Sequence, residues 1–326
     1  MDLNYKIFWC EDNDEWFEQI SEKVEKYLSS KNMKPILKRM KRGDFKIEDH
    51  DFSQYEIMII DYQLEDDTLG DNIIEGIRRN KYYNDVIFYS SNGLKVADDV
   101  LKTKGLQGVF ISDRKNKKIL EIIQSLIDKS LKRSENLVNI RGIVMDTTSH
   151  YDNIIEELIL KIYEKLVYED DKNEQILLKY ISSKLIKDYK DKSQKFISNY
   201  SELSDEKFKN MLNDREFNSY MKNRLLNKLL CMDFSLTSDL EKIYYEFFSE
   251  DKANKNMCFM KHYDEDIISH RNDLAHAHPK ITGNGEVLIG SKGGQKVVFN
   301  GELCSKIRGN LIKYEEILSK FSLLLE

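Results

Sequence analysis

The chain is poor in proline and cysteine, has no long apolar run and carries no excess of positive charge. Only two of its 326 residues are prolines, Pro35 and Pro279. Proline breaks helix interiors, so this scarcity fits a mostly helical protein. The four cysteines, Cys10, Cys231, Cys258 and Cys304, are scattered and form no C-x-x-C pair. That argues against a disulfide framework or a thiolate metal site and predicts a reducing, cytoplasmic setting. No apolar stretch approaches the roughly 18 residues a spanning helix needs, so no membrane segment is expected. Met1 to Lys6 lacks a basic region leading into an apolar one, which predicts no signal peptide. Acidic residues outnumber basic ones, 57 to 51, giving a net charge of −6. Nothing in that balance draws the chain to nucleic acid as a whole, so any RNA would have to meet a local basic patch. What is present is 40% hydrophobic and 33% charged residues, enough for sizeable cores. The length suggests two domains.

Residues 1–128 alternate two patterns. Short apolar runs at Lys6–Cys10, Ile36–Met40, Tyr55–Ile60, Val86–Tyr89 and Gly108–Ser112 read as strands. Between and after them, apolar residues recur at helical spacing: Trp16, Phe17, Ile20, Val24 and Leu28, then Ile73, Ile74 and Ile77, then Leu120, Ile123, Leu126 and Ile127. Apolar strands alternating with helices predict an α/β domain, a doubly wound parallel five-stranded sheet covered on both faces. From 151 to 326 the pattern becomes all-α. Ile154, Ile155, Leu158, Ile159, Ile162 and Leu166 form one stripe, and further helices are expected near 173–200, 204–232, 238–249 and 262–277. Glu286–Ile289 and Lys296–Phe299 flank a glycine-rich turn, which predicts a β-hairpin inserted before a last helix over 302–325. Residues 129–150 are the expected joint, although Asn139–Val144 is too apolar for a pure linker.

In a doubly wound sheet, sites form outside the carboxyl ends of the strands. Glu11 and Asp12 follow the first strand, Asp61 the third and Ser90 the fourth. Three converging carboxylates repel unless a cation neutralises them, and hard oxygen ligands suit Mg²⁺. On these residues, together with Gly70-Asp71 and the Ile-rich helix after Asp61, residues 4–128 resemble a response-regulator receiver domain. The resemblance implies that Asp61 is a phosphoacceptor, that Glu11, Asp12 and Asp61 hold Mg²⁺, and that Ser90 is the switch hydroxyl. It also implies an upstream histidine kinase or ATPase partner. One departure is evident. Receivers carry a lysine followed by a proline after the fifth strand, whereas the best alignment here puts Asp113 there with no proline. Arg114 or Lys115 could supply the cation from a shifted register.

Four of the six histidines, His262, His270, His276 and His278, fall in one short stretch around Arg271-Asn272-Asp273-Leu274-Ala275-His276. No spaced acidic ligand set accompanies them, so a zinc site is not expected. Arginine can hold a phosphate bidentately, and histidine can move a proton near neutral pH. That pair suits metal-free RNA cleavage with the ribose 2′-OH as nucleophile. Arg271 and His276 are five residues apart, about 140° around an ideal helix. An irregular helix end or a second copy of the chain would be needed to bring them together. The Arg-x4-His motif, late in a helical region and followed by a hairpin and a final helix, resembles the HEPN family. The resemblance covers about residues 150–326. It implies that Arg271 stabilises phosphate, Asn272 orients or polarises, His276 acts as general acid/base, and the chain works as a homodimer on an RNA substrate. Lys292, Lys296, Arg308 and Lys313 could contribute a basic surface, although exposed lysines are ordinarily a solvated face.

Together the two resemblances imply a receiver-regulated, metal-independent endoribonuclease of the kind used in bacterial conflict and anti-phage defence. The competing reading is a non-catalytic signalling adaptor that dimerises through its helical domain. No basic recognition helix is present to predict DNA binding.

Overall fold

The structure is a computed structural model that describes residues 3–326 except 44, 66, 91–101, 103, 186–204, 216, 255–256, 277, 283–284 and 293–294; across 276–299 it describes backbone alone. The chain divides into two compact units. The first comprises Met1–Ile143 with Pro279–Val287 and Phe299–Gly309, and the second comprises Val144–His278 with Leu288–Val298 and Asn310–Glu326.

The first unit is built on β1 (Asn4–Cys10), α1 (Asp14–Ser30), β2 (Lys34–Met40), β3 (Ile57–Asp61), α2 (Gly70–Arg79), β4 (Asp85–Ser90), β5 (Val109–Asp113) and α3 (Asn116–Ser134). The five strands form one sheet in the order β2-β1-β3-β4-β5. Every neighbouring pair is parallel. This is the doubly wound order with a switch point between β1 and β3.

The alternation of side chains along each strand explains how both faces are covered. Ile7, Trp9, Ile57, Ile59, Ile87 and Tyr89 pack with Ile20, Val24 and Leu28 of α1 and Ile119, Ile123 and Ile127 of α3. Phe8, Cys10, Met58, Ile60, Val86 and Phe88 pack on the opposite face with Ile73, Ile74 and Ile77 of α2. A strand buried on both sides reads as an unbroken apolar run, which is what β3 is: all five of its residues are buried. Asn13 caps α1, its side chain accepting from the Trp16 amide at 2.8 Å.

The second unit is helical. It contains the greater part of α4 (Leu137–Glu169), α5 (Asp171–Tyr180) with a π-turn at Ile181–Leu185, α6 (Asp205–Leu212), α7 (Ser219–Leu230) and α8 (Thr237–Phe247). Then come α9 (Phe259–Tyr263), a π-turn at Asp264–Ile268, and α10 (Ser269–His276). Along the chain, β6 (His278–Thr282), β7 (Gly285–Lys292), β8 (Gln295–Phe299) and α11 (Gly301–Leu325) follow, and their residues are divided between the two units. The strands form a three-stranded sheet, so the expected hairpin has an additional strand.

Two differences from the expected elements have local causes. The single helix expected over 204–232 is two helices, because Asn218 starts a new one by accepting the Met221 amide at 3.2 Å. The expected joint, 129–150, is helical, shared between the end of α3 and the start of α4. The part of the expected 173–200 helix beyond Leu185 lies outside the described residues. Among the described residues no helix is long and apolar enough to cross a membrane.

Candidate functional site

The parallel register assembles the acidic cluster of the first unit. Cys10 pairs with Ile60, so the next residue on each strand, Glu11 and Asp61, emerge side by side. Both continue the odd-numbered series that faces α1 and α3, as does Tyr89, the partner of Asp61 on β4. Glu11, Asp12 and Asp61 each offer a carboxylate oxygen, all within 4.8 Å of one another. Arg39 fixes the loop that carries the first two, donating to the carbonyl of Glu11 at 2.9 Å and that of Asp12 at 3.1 Å.

Glu11 is fully buried, and Asp61 is only 3% exposed. Burial pushes the Asp61 carboxyl up to about 7, reinforced by the charge of Glu11 and opposed by Arg114. Burial also raises Glu11, against the hydrogen bond from Tyr89. Glu11 accepts from the Tyr89 hydroxyl at 2.6 Å, the Asn13 amide at 2.8 Å and Arg114 Nη2 at 2.5 Å. Arg114 Nη1 lies 3.6 Å from Asp61 Oδ2. The guanidinium sits 5.0 Å from the Trp16 ring, which stacks on Tyr89 at 4.9 Å.

Of the cations left open by the sequence, Arg114 is therefore the one that reaches the acids. Asp113 does not join them. It shares the face of Val109 and Ile111, which pack toward α2, and its carboxylate accepts the Lys115 amide at 3.2 Å. Ser90 is buried at the end of β4, one position beyond the Asp61–Tyr89 pair and opposite Asp113. An open cleft of about 710 Å³, lined by Asp12, Asp61, Gln63, Lys41 and Arg114 among others, lies over the cluster. Three oxygen donors around a buried acid pair fit a hard divalent cation.

The second unit contains the arginine–histidine motif. Arg271 and Asn272 lie on α10 and line a cavity of about 230 Å³. Its other walls come from Asn218–Tyr220 and Asn223 of α7, and from Met260, Tyr263, Asp264 and Ile268. Behind it, Asp152 of α4 accepts the Ser219 hydroxyl at 2.6 Å. Burial raises the Asp152 carboxyl, while Ser219, Arg271 and Lys222 oppose the rise. Tyr263 is fully buried, its ring edge-on to Tyr314 at 5.1 Å.

Helix α10 is regular from Ser269 to His276, and the π-turn precedes it. The helix backbone carries no irregularity between Arg271 and His276. The His276 side chain lies outside what the structure describes. His262 belongs elsewhere: its Nε2 is 2.8 Å from Asp251, and its ring stacks on Phe248. Two residues of the basic surface are engaged in ion pairs. Arg308 is 4% exposed and bonds Glu135 at 2.9 Å, and Lys313 bonds Asp266 at 2.6 Å.

Sequence reasoning missed Tyr89, Asp152, Ser219 and Tyr263. Tyr89 had a readable signal, since it lies on the same sheet face as Glu11 and Asp61. The others meet through long-range helix packing that no periodicity encodes.

No protein-family model matches this sequence, and no curated protein matches it. Among solved structures, a fusion carrying the yeast Spc42 trimeric coiled coil is 12% identical with a TM-score of 0.32. That match covers 40% of this chain and 81% of the other. A likeness at this level defines no shared fold.

Proposed function

We propose that this protein is a metal-independent endoribonuclease governed by a receiver-like domain. The observation that carries the reading is that Arg271 and Asn272 line a cavity together with the start of α7. A helix N-terminus and a guanidinium are each suited to a phosphate. In the reaction, the ribose 2′-oxygen attacks the adjacent phosphorus and the bond from phosphorus to the 5′-oxygen breaks. The 2′-OH gives up its proton to a base, and the leaving 5′-oxygen takes one from an acid. The products are a 2′,3′-cyclic phosphate and a 5′-hydroxyl. His276 is the proton carrier and Arg271 neutralises the charge that gathers on the phosphorane oxygens. Because Arg271 and His276 diverge on a regular helix, the complete site needs a second copy of the chain, its motif facing the first.

Control lies in the first unit. Asp61 accepts a phosphoryl group, with Mg²⁺ held by Glu11, Asp12 and Asp61, and Ser90 responds as the switch hydroxyl. A histidine kinase or related ATPase is the upstream partner, and a bacterial conflict or anti-phage setting suits such an enzyme.

The test is cleavage of RNA by the purified protein in EDTA, beside Arg271→Ala and His276→Ala, with the ends analysed for cyclic phosphate. Cleavage by the wild type alone supports the reading. Equal cleavage by all three removes the motif from the chemistry. No cleavage by wild-type dimer favours the adaptor, in which the helical domain only dimerises.

A further inference from the structure

We propose that the outer face of α7, with the end of α5 beside it, is a binding surface for single-stranded RNA. The proposal rests on the ribonuclease reading and deepens it by saying where the substrate lies outside the motif.

The acidic balance of the chain gives nucleic acid no general attraction, so binding needs a local excess of positive charge. Residues 175–185 and 218–232 have one: together they carry five basic side chains and no acidic one. Lys222 is taken by Glu156 at 2.6 Å. Lys184 is exposed and Lys228 half-buried, and neither has an ion-pair partner among the described residues. Two contacts pin the segments side by side. The Tyr180 hydroxyl, at the end of α5, donates to the Arg224 carbonyl at 3.4 Å, and Arg224 Nη1 donates to the Lys184 carbonyl at 3.4 Å.

On α7, Tyr220, Arg224 and Lys228 recur every four residues. They therefore share one face, with about 6 Å of rise from each to the next. Each of these two cations stands over a ring. The Arg224 guanidinium is 5.7 Å from the Tyr220 ring centre and the Lys228 ammonium 5.9 Å from that of Tyr180. An ordinary solvated face interleaves its lysines with acids; here cations alternate with aromatic rings. A single strand alternates in the same way, its phosphates suited to the cations and its unpaired bases to the rings. Tyr220 is 49% exposed, which leaves ring surface for a base. It also lines the cavity that holds Arg271, so the stripe runs up to the motif. A duplex keeps its base faces stacked inside and would use only the cations. An acidic polypeptide would do the same.

The experiment is fluorescence anisotropy of the full chain with a labelled 2′-O-methyl oligouridylate, which has no free 2′-OH and so survives the proposed cleavage chemistry. Lys184→Gln/Lys228→Gln should weaken binding roughly tenfold at low salt. It should also flatten the dependence of log K on log salt by about 1.4, since each phosphate contact to a single strand contributes about 0.7. Tyr220→Ala should weaken binding about fivefold or more, the stacking of one base, and Tyr220→Phe should restore it. Lys38→Gln/Lys46→Gln makes the same change in net charge on exposed lysines of the first unit and should have little effect. No binding by the wild type would overturn the proposal, as would an equal loss in the two double variants. Polyglutamate or duplex RNA that binds as tightly, with Tyr220→Ala indifferent, would overturn it too. The same preparations are assayed for cleavage of unmodified RNA. Binding through the stripe without cleavage keeps the surface and removes the ribonuclease reading. Cleavage that Lys184→Gln/Lys228→Gln leaves unchanged does the reverse.

Discussion

Replacing Arg114 by alanine tests the electrostatics of the acidic cluster directly. The guanidinium is the cation in contact with two buried carboxylates, 2.5 Å from Glu11 and 3.6 Å from Asp61. Removing one partner of a buried ion pair costs about 3–5 kcal/mol, because the other charge is left unpaired. The Arg114 side chain is 23% exposed, so water screens part of this, and a loss of about 2–3 kcal/mol is expected at pH 8.5. The loss should depend on pH in a defined direction. Asp61 is raised from 3.8 to about 7 in the folded chain, so unfolding releases a proton between those values. Its contribution to stability is therefore greatest at low pH and declines as pH rises through 7. Forcing the buried group to ionise costs about 4 kcal/mol in full. At pH 5.5 Asp61 carries a proton and Arg114→Ala strands less charge; at pH 8.5 Asp61 is ionised and the variant suffers most. Urea unfolding followed by tryptophan fluorescence reads this unit selectively, because the chain has two tryptophans, Trp9 and Trp16, and both lie there. Millimolar Mg²⁺ should stabilise the variant more than the wild type, since the ion then meets no competing guanidinium. An equal loss at both pH values, with no difference in the response to Mg²⁺, would refute the reasoning.

Asp61→Asn should abolish labelling of the protein by acetyl phosphate, and persistent labelling would put the acceptor elsewhere. Gly70→Ala should cost about 1–3 kcal/mol in the same unfolding assay, because a Cβ there would stand 2.0 Å from the Asp61 carbonyl oxygen and force α2 away from β3. Gly142→Ala is its control: nothing lies within 4 Å of that Cβ, the position is mid-helix, and a gain of about 0.5–1 kcal/mol is expected.

The first unit was legible because a parallel sheet writes itself as apolar runs. Tyr55–Ile60 ends at an acid, and so does Lys6–Cys10, which was enough to bring Glu11, Asp12 and Asp61 to one edge. The cation was harder. Counting from the strand put Asp113 in position, and only the face taken by Val109 and Ile111 turns Asp113 aside and leaves Arg114 to reach back. Helix existence in the second unit followed from apolar stripes such as Ile155, Leu158, Ile159 and Ile162, all fully buried. Helix ends did not, because the break before Ser219 depends on one capping side chain in a stretch that remains apolar on both sides. The cavity beside Arg271 draws on residues from 218 to 272, with Asp152 behind it. No local pattern joins positions so far apart; they meet only when the helices pack.

The identity of the cation shapes what the acidic cluster can do. A lysine would offer a compact ammonium at the end of a flexible stem, able to serve one oxygen group at a time. Arginine offers a planar fork that stays charged at any working pH, and here its two arms reach different carboxylates. Trp16 fixes the plane of that fork from one side, and Trp16 is itself held by stacking on Tyr89, whose hydroxyl bonds Glu11. The ring stack and the acid pair therefore form one connected unit. A phosphoryl group on Asp61 would add charge and oxygen acceptors beside the guanidinium, drawing it from Glu11.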